Sequence, residues 1–230
     1  MQKRKMNGSE IPAMASNWKE LANSAQLRSN MYGLLANIFR KELTETLIRE
    51  LKDPRLSGIL SEMGVELGET FSSVPESEIA ETLGHEFTRL FIGPGSHISA
   101  HESIFTEIDG GTSALWGKKT VEVKNFIETT GLGYESEYTG IPDHVSVELE
   151  FMQKLAAWEA EKWAEHDRKN AEYCGSVQHM FLELHLSRWL PSFCDAVMEQ
   201  AKLPFYRSMA ELVKNYLEVE RQSIATDATN

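Results

Sequence analysis

The apolar residues of this chain recur almost everywhere with the period of an α-helix, roughly 3.6 residues, and hardly any segment alternates as a β-strand would. The segment from Asn17 to Phe39 is typical, because its apolar side chains return to one face of the predicted helix. A chain with this pattern buries its apolar surface by packing helix against helix. The sequence therefore predicts an all-α protein, a single compact bundle of about eight or nine helices.

Caps and breaks in the pattern give the predicted helix ends. Ser73-Val74-Pro75-Glu76 has the spacing of a capping box, and Asp143 is the predicted N-cap of the longest helix. We predict a flexible segment at 1–16, one helical domain at 17–221 and a disordered tail at 222–230. Within the domain, helices are predicted at about 17–39, 44–51, 55–63, 73–90, 115–130, 144–170, 177–190 and 205–220, with a shorter helix before the last.

Two long irregular segments interrupt the predicted helices. The first begins at Gly93-Pro94-Gly95, which cannot continue a helix, and lasts to about Gly111. The second runs from Gly133 to Pro142. Because loops of this length inside a compact domain are more often functional than not, the two loops are the predicted functional elements of the bundle.

Charge and cysteine content restrict the class of partner and the compartment. The chain has 23 Lys and Arg against 35 Asp and Glu, and the resulting net charge of −12 disfavours nucleic acid and favours a basic partner. Cys174 and Cys194 belong to no close ligand pair and indicate no disulfide framework. No apolar stretch is long enough to cross a bilayer, and no apolar region follows the basic N-terminus as it would in a signal peptide. We therefore expect a cytoplasmic protein without a membrane span.

Familiar catalytic motifs are missing from the sequence, so we expect a protein that is not an enzyme. There is no GxxxxGK[ST] phosphate loop, no GxGxxG after a strand and no GxSxG. His85-Glu86 begins like a zinc-protease helix, but Arg89 stands where the second histidine ligand belongs. Two alternatives stay open: a regulator that binds a nucleotide or pterin at loop 93–97, and a metal-dependent hydrolase using His97, His101, His144 and nearby carboxylates.

Acidic and apolar residues are mixed in and beside the two loops. The acids could simply be solvated, or, if the loops face each other, they could line a groove that accepts arginine side chains. The apolar residues would then contact the apolar part of the same peptide. For His144, both an exposed and a functional position stay open. The acids are Glu102, Glu107, Asp109, Glu135, Glu137 and Asp143.

A series of short motifs also runs through the chain in a specific order. They are Met31-Tyr32-Gly33-Leu34-Leu35-Ala36, Glu86-Phe87-Thr88-Arg89-Leu90-Phe91-Ile92-Gly93-Pro94-Gly95, Glu102-Ser103-Ile104-Phe105, Pro142-Asp143-His144 with Glu148-Leu149, Phe181-Leu182, His185-Leu186, Trp189-Leu190-Pro191-Ser192-Phe193 and Phe205-Tyr206. In order and spacing this series resembles the TorD/DmsD family of redox-enzyme maturation chaperones over about residues 17–220. The chain departs from the best-known branch at Ala100-His101-Glu102-Ser103, where those members often have Pro-Pro-Trp-Gly-Ser.

The resemblance implies a cytoplasmic, system-specific chaperone without a cofactor of its own. Such a chaperone binds the apo form of a molybdopterin-containing oxidoreductase through its twin-arginine signal peptide, assists cofactor insertion and delays export until maturation. The implied partners are the apo-molybdoenzyme catalytic subunit and its signal peptide. Proteins of molybdenum-cofactor biosynthesis are further candidate partners.

The resemblance and the loop chemistry together give a predicted peptide-binding site. Glu102, Glu107 and Asp143 are expected to attract the arginine pair, while Pro94 and Pro142 shape the two loops. Phe91, Phe105 and Ile141 are expected to contact the apolar part of the peptide. The complete predicted set is Phe91, Gly93, Pro94, Glu102, Ser103, Phe105, Glu107, Pro142, Asp143 and His144.

Overall fold

Helices form all the regular structure in the part of the chain that the computed structural model describes, residues 10–68, 71–106, 115–131 and 139–227. The only β-type pairing in those ranges is one isolated bridge between His101 and His144. The all-α prediction is therefore confirmed. In chain order the α-helices are α1 (Glu10–Arg40), α2 (Glu45–Leu51), α3 (Pro54–Glu62), α4 (Glu76–Phe87), α5 (Glu102–Phe105), α6 (Lys118–Thr129), α7 (Val145–Ala164), α8 (Arg168–Phe181), α9 (Ser187–Gln200) and α10 (Pro204–Asp227).

Two five-residue turns of π-helix continue the helices that precede them. The first, Thr88–Ile92, follows α4 directly, and the second, Leu182–Leu186, joins α8 to α9. A π-turn inserts about one extra residue into a helix, which often happens beside functional sites. Both turns contribute buried residues to the core, Leu90 from the first and His185 from the second.

The core lies between α1 and α7, which pack along each other, with α8 against α7 and α9 against α10. From α1 the buried residues include Tyr32, Leu35 and Phe39, and α7 is buried continuously from Val145 to Met152. A helix with a single apolar stripe exposes its opposite face to solvent. The start of α7, in contrast, is buried on every face. This burial places the polar residues at the start of α7 inside the protein.

Several helix ends differ from the predicted ones. The first helix begins at Glu10, inside the segment predicted to be flexible, and the last continues to Asp227, past Glu220 and into the predicted tail. Extending a formed helix costs far less than starting one, so polar residues beyond the apolar stripe stay helical. The predicted helix 144–170 is two helices, because Asp167 caps α8 by accepting a hydrogen bond from the Asn170 N–H at 3.2 Å.

The predicted capping box before α4 is wrong. This helix begins at Glu76 with Pro75 at the N-cap position, and no side chain caps it there. The carboxylate of Glu76 instead pairs with Lys52, with 3.2 Å between Lys52 Nζ and Glu76 Oε1. The same ammonium group donates to the carbonyl of Val74 at 2.6 Å. Lys52, at the end of α2, therefore binds the Glu76 carboxylate that the capping box would have used.

Candidate functional site

The described parts of the two loops face each other and are joined through their backbones. The N–H of Glu102 donates to the carbonyl of Asp143 at 3.0 Å, and the N–H of Val145 donates to the carbonyl of Ala100 at 2.8 Å. We call this pair of hydrogen bonds the loop bridge. It fixes the start of α5 against the start of α7, which the order of helices in the sequence could not reveal.

Asp143 serves the loop bridge and not the helix that follows it. Its side chain is fully buried, and Oδ2 accepts a hydrogen bond at 2.9 Å from the N–H of Ser103 in the first turn of α5. The predicted N-cap role of Asp143 in α7 is therefore wrong. The N-cap of α7 is His144, whose Nδ1 accepts from the N–H of Ser146 at 3.2 Å.

His144 is held as a neutral imidazole. Its pKa is lowered to about 3, chiefly by burial and additionally by its electrostatic interactions with His101 and Arg40. The two histidine rings meet edge to face with 5.0 Å between centroids. Burial also lowers the pKa of His101, although the charge of Asp143 opposes this effect. The loop bridge is thus surrounded by neutral histidines, which act as hydrogen-bonding groups at ordinary pH.

Three buried polar atoms beside the loop bridge have no hydrogen-bond partner among the described residues. They are Asp143 Oδ1, Ser103 Oγ and His101 Nε2. Buried polar atoms in folded proteins are nearly always paired with protein, water or a ligand. The junction of the two loops therefore offers an acceptor and further polar groups to a molecule that enters there.

Glu102 lies deeper than its place in a loop suggests. Its side chain is fully buried, and Oε2 is 2.8 Å from Nδ1 of His185. The sequence predicts Glu102 and Asp143 as acceptors on the surface of an acidic groove, but both carboxyl groups lie inside the protein. Contact with a client arginine remains a prediction, and it requires the loops to part. Glu107, Asp109, Glu135 and Glu137 lie outside the described residues.

The loop that begins at Gly93 folds back on the first π-turn. The N–H of Gly93 donates to the carbonyl of Thr88 at 2.6 Å, and the N–H of Ile98 donates to the carbonyl of Leu90 at 2.7 Å. A Cβ atom on Gly93 would lie only 3.2 Å from the Thr88 carbonyl oxygen, so glycine suits this close approach. The loop presents Pro94 to solvent.

The two aromatic residues predicted for the site, Phe91 and Phe105, both contact the ring of Phe193. Phe91 and Phe105 are both half-buried, and their ring centroids lie 6.0 Å and 5.9 Å from that of Phe193 in α9. The two loops therefore share an apolar support beneath them. Pro142 and Ile141 are likewise half-buried, while the neighbouring Ile92 is 62% exposed.

Glu86 and Arg89 belong to the motif 86–95 and form an ion pair that also binds backbone groups near α10, a role that local sequence patterns did not indicate. The Arg89 guanidinium donates two hydrogen bonds of 2.7 Å to the Glu86 carboxylate. Glu86 also accepts from the N–H groups of Lys202 and Leu203, at 2.6 and 3.4 Å, just before α10. The three-residue spacing could have indicated the ion pair, but nothing nearby indicates a partner more than 100 residues away.

The metal-site alternative gains no support from the described residues. Within them, no group of three or more His, Cys, Asp and Glu side chains is arranged to hold a metal ion. His97 is exposed, and the Nδ1 atoms of His101 and His144 are each hydrogen-bonded to a serine hydroxyl. The same part of the chain contains no helix long and apolar enough to cross a membrane.

Comparison with known proteins gives consistent matches over nearly the whole chain. A model of the family described as "Nitrate reductase delta subunit" matches residues 54–195. The chaperone protein TorD of Psychrobacter sp. (strain PRwf-1) is 26% identical over 218 residues, covering 89% of this chain and 94% of the relative. TorD of Photobacterium profundum is 24% identical over 205 residues, with 84% and 92% covered. A crystal structure of a "putative redox enzyme maturation protein" from Archaeoglobus fulgidus is 21% identical, with a TM-score of 0.49, over 83% of this chain and 93% of that one.

Proposed function

This chain belongs to the nitrate reductase delta subunit family, and we propose that it is a cytoplasmic chaperone for one molybdopterin-containing oxidoreductase. Its curated relatives are named as chaperones and not as enzymes. In the proposed function it binds the twin-arginine signal peptide of the apo-enzyme catalytic subunit. Binding protects the client while its cofactor is inserted, and export is delayed until release.

The observation that carries this proposal is the loop bridge with its unpartnered acceptor. Asp143 uses one carboxylate oxygen to hold Ser103 and leaves Oδ1 buried without a partner among the described residues. A guanidinium group donates several hydrogen bonds in a planar fork that matches a carboxylate. An arginine that enters between the loops would therefore supply the donor that Asp143 lacks.

The surroundings of the loop bridge suit the rest of such a peptide. Exposed Ile92 and half-buried Ile141 offer apolar contacts beside the loops, and Pro94 restricts the first loop's conformations. The net charge of −12 attracts a basic peptide from a distance. Arginine residues would bind at the junction, and the apolar residues that follow them would lie along its rim.

Calorimetric titration with signal peptides from molybdoenzymes of the same organism tests the proposal. We expect saturable binding at micromolar concentration or tighter, weakened when the arginine pair is replaced by two lysines, because an ammonium cannot reproduce the bidentate contact. The substitution Asp143→Asn keeps an oxygen for the Ser103 N–H and removes only the charge. We expect it to weaken binding by about tenfold or more.

A matched control separates a local effect from a loss of net charge. Asp195 is exposed and pairs with Lys214 in α10, so Asp195→Asn removes the same charge without touching the loops. We expect this variant to bind as the unmodified protein does. Equal affinity of a folded Asp143→Asn variant would refute the role of Asp143, and no binding of any such peptide would refute the proposed function.

A further inference from the structure

A second polar cluster adjoins the loop bridge and shares one residue, Glu102, with the predicted peptide site. It consists of Glu102 in α5, Glu148 in α7, His185 in the second π-turn and Trp189 in α9, so it joins four elements. The side chains of Glu102, Glu148 and Trp189 are completely buried, and His185 is 4% exposed. We call these four residues the carboxyl cluster.

Each carboxyl group of this cluster has one oxygen with a donor and one without. Glu102 Oε2 is paired with His185 Nδ1 at 2.8 Å, and Glu148 Oε2 accepts from Trp189 Nε1 at 3.0 Å. The Oε1 atoms of both residues are buried and lack a donor among the described residues. The Glu102 carboxyl group nevertheless raises the pKa of Glu148, both through its charge and through a hydrogen bond between the two side chains. Two ionised carboxylates cannot make such a contact, whereas one carboxyl with a proton can donate to the other.

The charges around Glu148 also favour its neutral form. Burial raises the pKa of Glu148 well above its usual range, and the acids Glu102 and Asp143 raise it further. The hydrogen bond from Trp189 lowers it, but by less. His185 contacts Glu102 and not Glu148, so no cation among these neighbours faces the second carboxyl group directly. When two buried acids interact, each disfavours the charged form of the other, so the pair retains a proton to higher pH than either acid would in water.

We propose that Glu148 is a positioning residue that stays protonated at neutral pH and donates a hydrogen bond to Glu102. The shared proton fixes Glu102, whose own N–H forms one half of the loop bridge with Asp143. The same residue begins α5, which packs against α6 and α9. The proton on Glu148 therefore helps to hold the start of α5 against Asp143, in the position that the proposed peptide site requires.

The carboxyl cluster adjoins a surface groove at His185. This residue lines a groove of about 430 Å³ between α6 and the start of α9, together with Lys119 and Arg188 on its walls. Its Nδ1 atom is paired with Glu102. His185 therefore connects the carboxyl cluster to this groove.

Infrared difference spectroscopy of the peptide-free protein tests whether the proton is there. At neutral pH we expect the carbonyl stretch of a protonated carboxyl group, shifted in heavy water and lost in Glu148→Gln. The control is Glu159→Gln on the same helix, because Glu159 is also buried and also accepts from a tryptophan, Trp163, but faces the Arg28 guanidinium. That variant should keep the band. If the unmodified protein has no such band, or Glu148→Gln retains it, the proposal is overturned.

Unfolding as a function of pH gives an independent measurement. A carboxyl whose pKa is raised by folding contributes stability that is complete below its unfolded value, 4.5, and is lost as pH rises toward the folded value. Relative to Glu148→Gln, the folding equilibrium constant of the unmodified protein should fall by up to about tenfold per pH unit in that window. Parallel pH profiles for the two proteins would contradict the proposal.

The consequence for peptide binding rests on the proposed function, so it is measured separately. The glutamine amide can still donate to Glu102, and we expect Glu148→Gln to retain peptide affinity within about twofold, whereas Glu148→Leu removes the donor and should weaken binding. Loss of affinity in both folded variants alike would refute the positioning role. If no peptide binds at all while the infrared band is present, the proposed function fails and the shared proton stands.

Discussion

His144 and Glu148 lie one turn apart at the start of α7 and are neutral for different reasons. Burial lowers the pKa of His144 to about 3 and raises that of Glu148 well above its usual range. In both residues the charged form is the one that folding disfavours. The two side chains therefore change the stability of the protein in opposite directions as the pH falls.

We predict that His144→Asn reduces the loss of stability in mild acid. The unfolded histidine binds a proton near pH 6.5 while the folded one does not until about pH 3, so its contribution is complete above pH 6.5 and is lost as pH falls. The expected slope is up to about 1.4 kcal/mol per pH unit. The side-chain oxygen of the variant can still cap Ser146.

Urea unfolding at several pH values between about 7 and 4.5 measures this difference. The control is His179→Asn, because His179 is exposed on α8. We expect the control to follow the unmodified protein. If His144→Asn loses stability with the same slope as the unmodified protein, then His144 does not carry the effect.

At the scale of secondary structure, the end of α4 serves as a cap for α10. Burial raises the pKa of Glu86, but the hydrogen bonds from Arg89 and the Lys202 N–H more than offset it and leave the pKa below its usual value. Arg89 also donates to the carbonyl of Gln200 at 2.7 Å, at the end of α9. The Glu86–Arg89 ion pair thus provides hydrogen-bond partners for a carbonyl at the end of α9 and for two N–H groups just before α10.

We predict that Glu86→Ala destabilises the protein by about 2–3 kcal/mol, because two backbone N–H groups and a guanidinium lose their acceptor. Glu86→Gln should cost less, about 1 kcal/mol, since its amide oxygen still accepts from Lys202. The shift of the urea midpoint measures both changes. Glu81→Ala, at an exposed position of the same helix, should be nearly neutral, and a comparable loss there would contradict the capping role.

At the scale of the whole molecule, charge should govern the rate of association. If the proposed function holds, the net charge of −12 accelerates encounter with an arginine-bearing peptide. We predict that the association rate falls roughly threefold to tenfold between low and physiological ionic strength, with little change in dissociation. Stopped-flow fluorescence measures both rates. A peptide with two glutamines in place of the arginines should show a smaller salt dependence, and an equal one would contradict steering.

The sequence predicted the fold better than it predicted the site. Helical periodicity is local, so the all-α class and most helix positions followed from it, including the helix expected at about 44–51, which spans Glu45–Leu51. The positions of Glu102 and Asp143 depend on partners that local patterns cannot show. Glu102 is buried because His185, 83 residues later, meets it, and Asp143 binds Ser103 before it can cap α7. Acids in loops are usually solvated, and these are exceptions.

The helices α8 and α9 and the second π-turn between them are continuous from Arg168 to Gln200. The π-turn therefore determines which side of α9 faces the core. Each residue of an α-helix advances the helix by about 100°, so removing one residue from 182–186 would rotate α9 by about that angle relative to α8. Trp189 and Phe193 would then turn away from the core. The length of this segment, as much as the identity of its residues, therefore specifies the interior of the protein, and single-residue deletions should be tolerated less well there than substitutions.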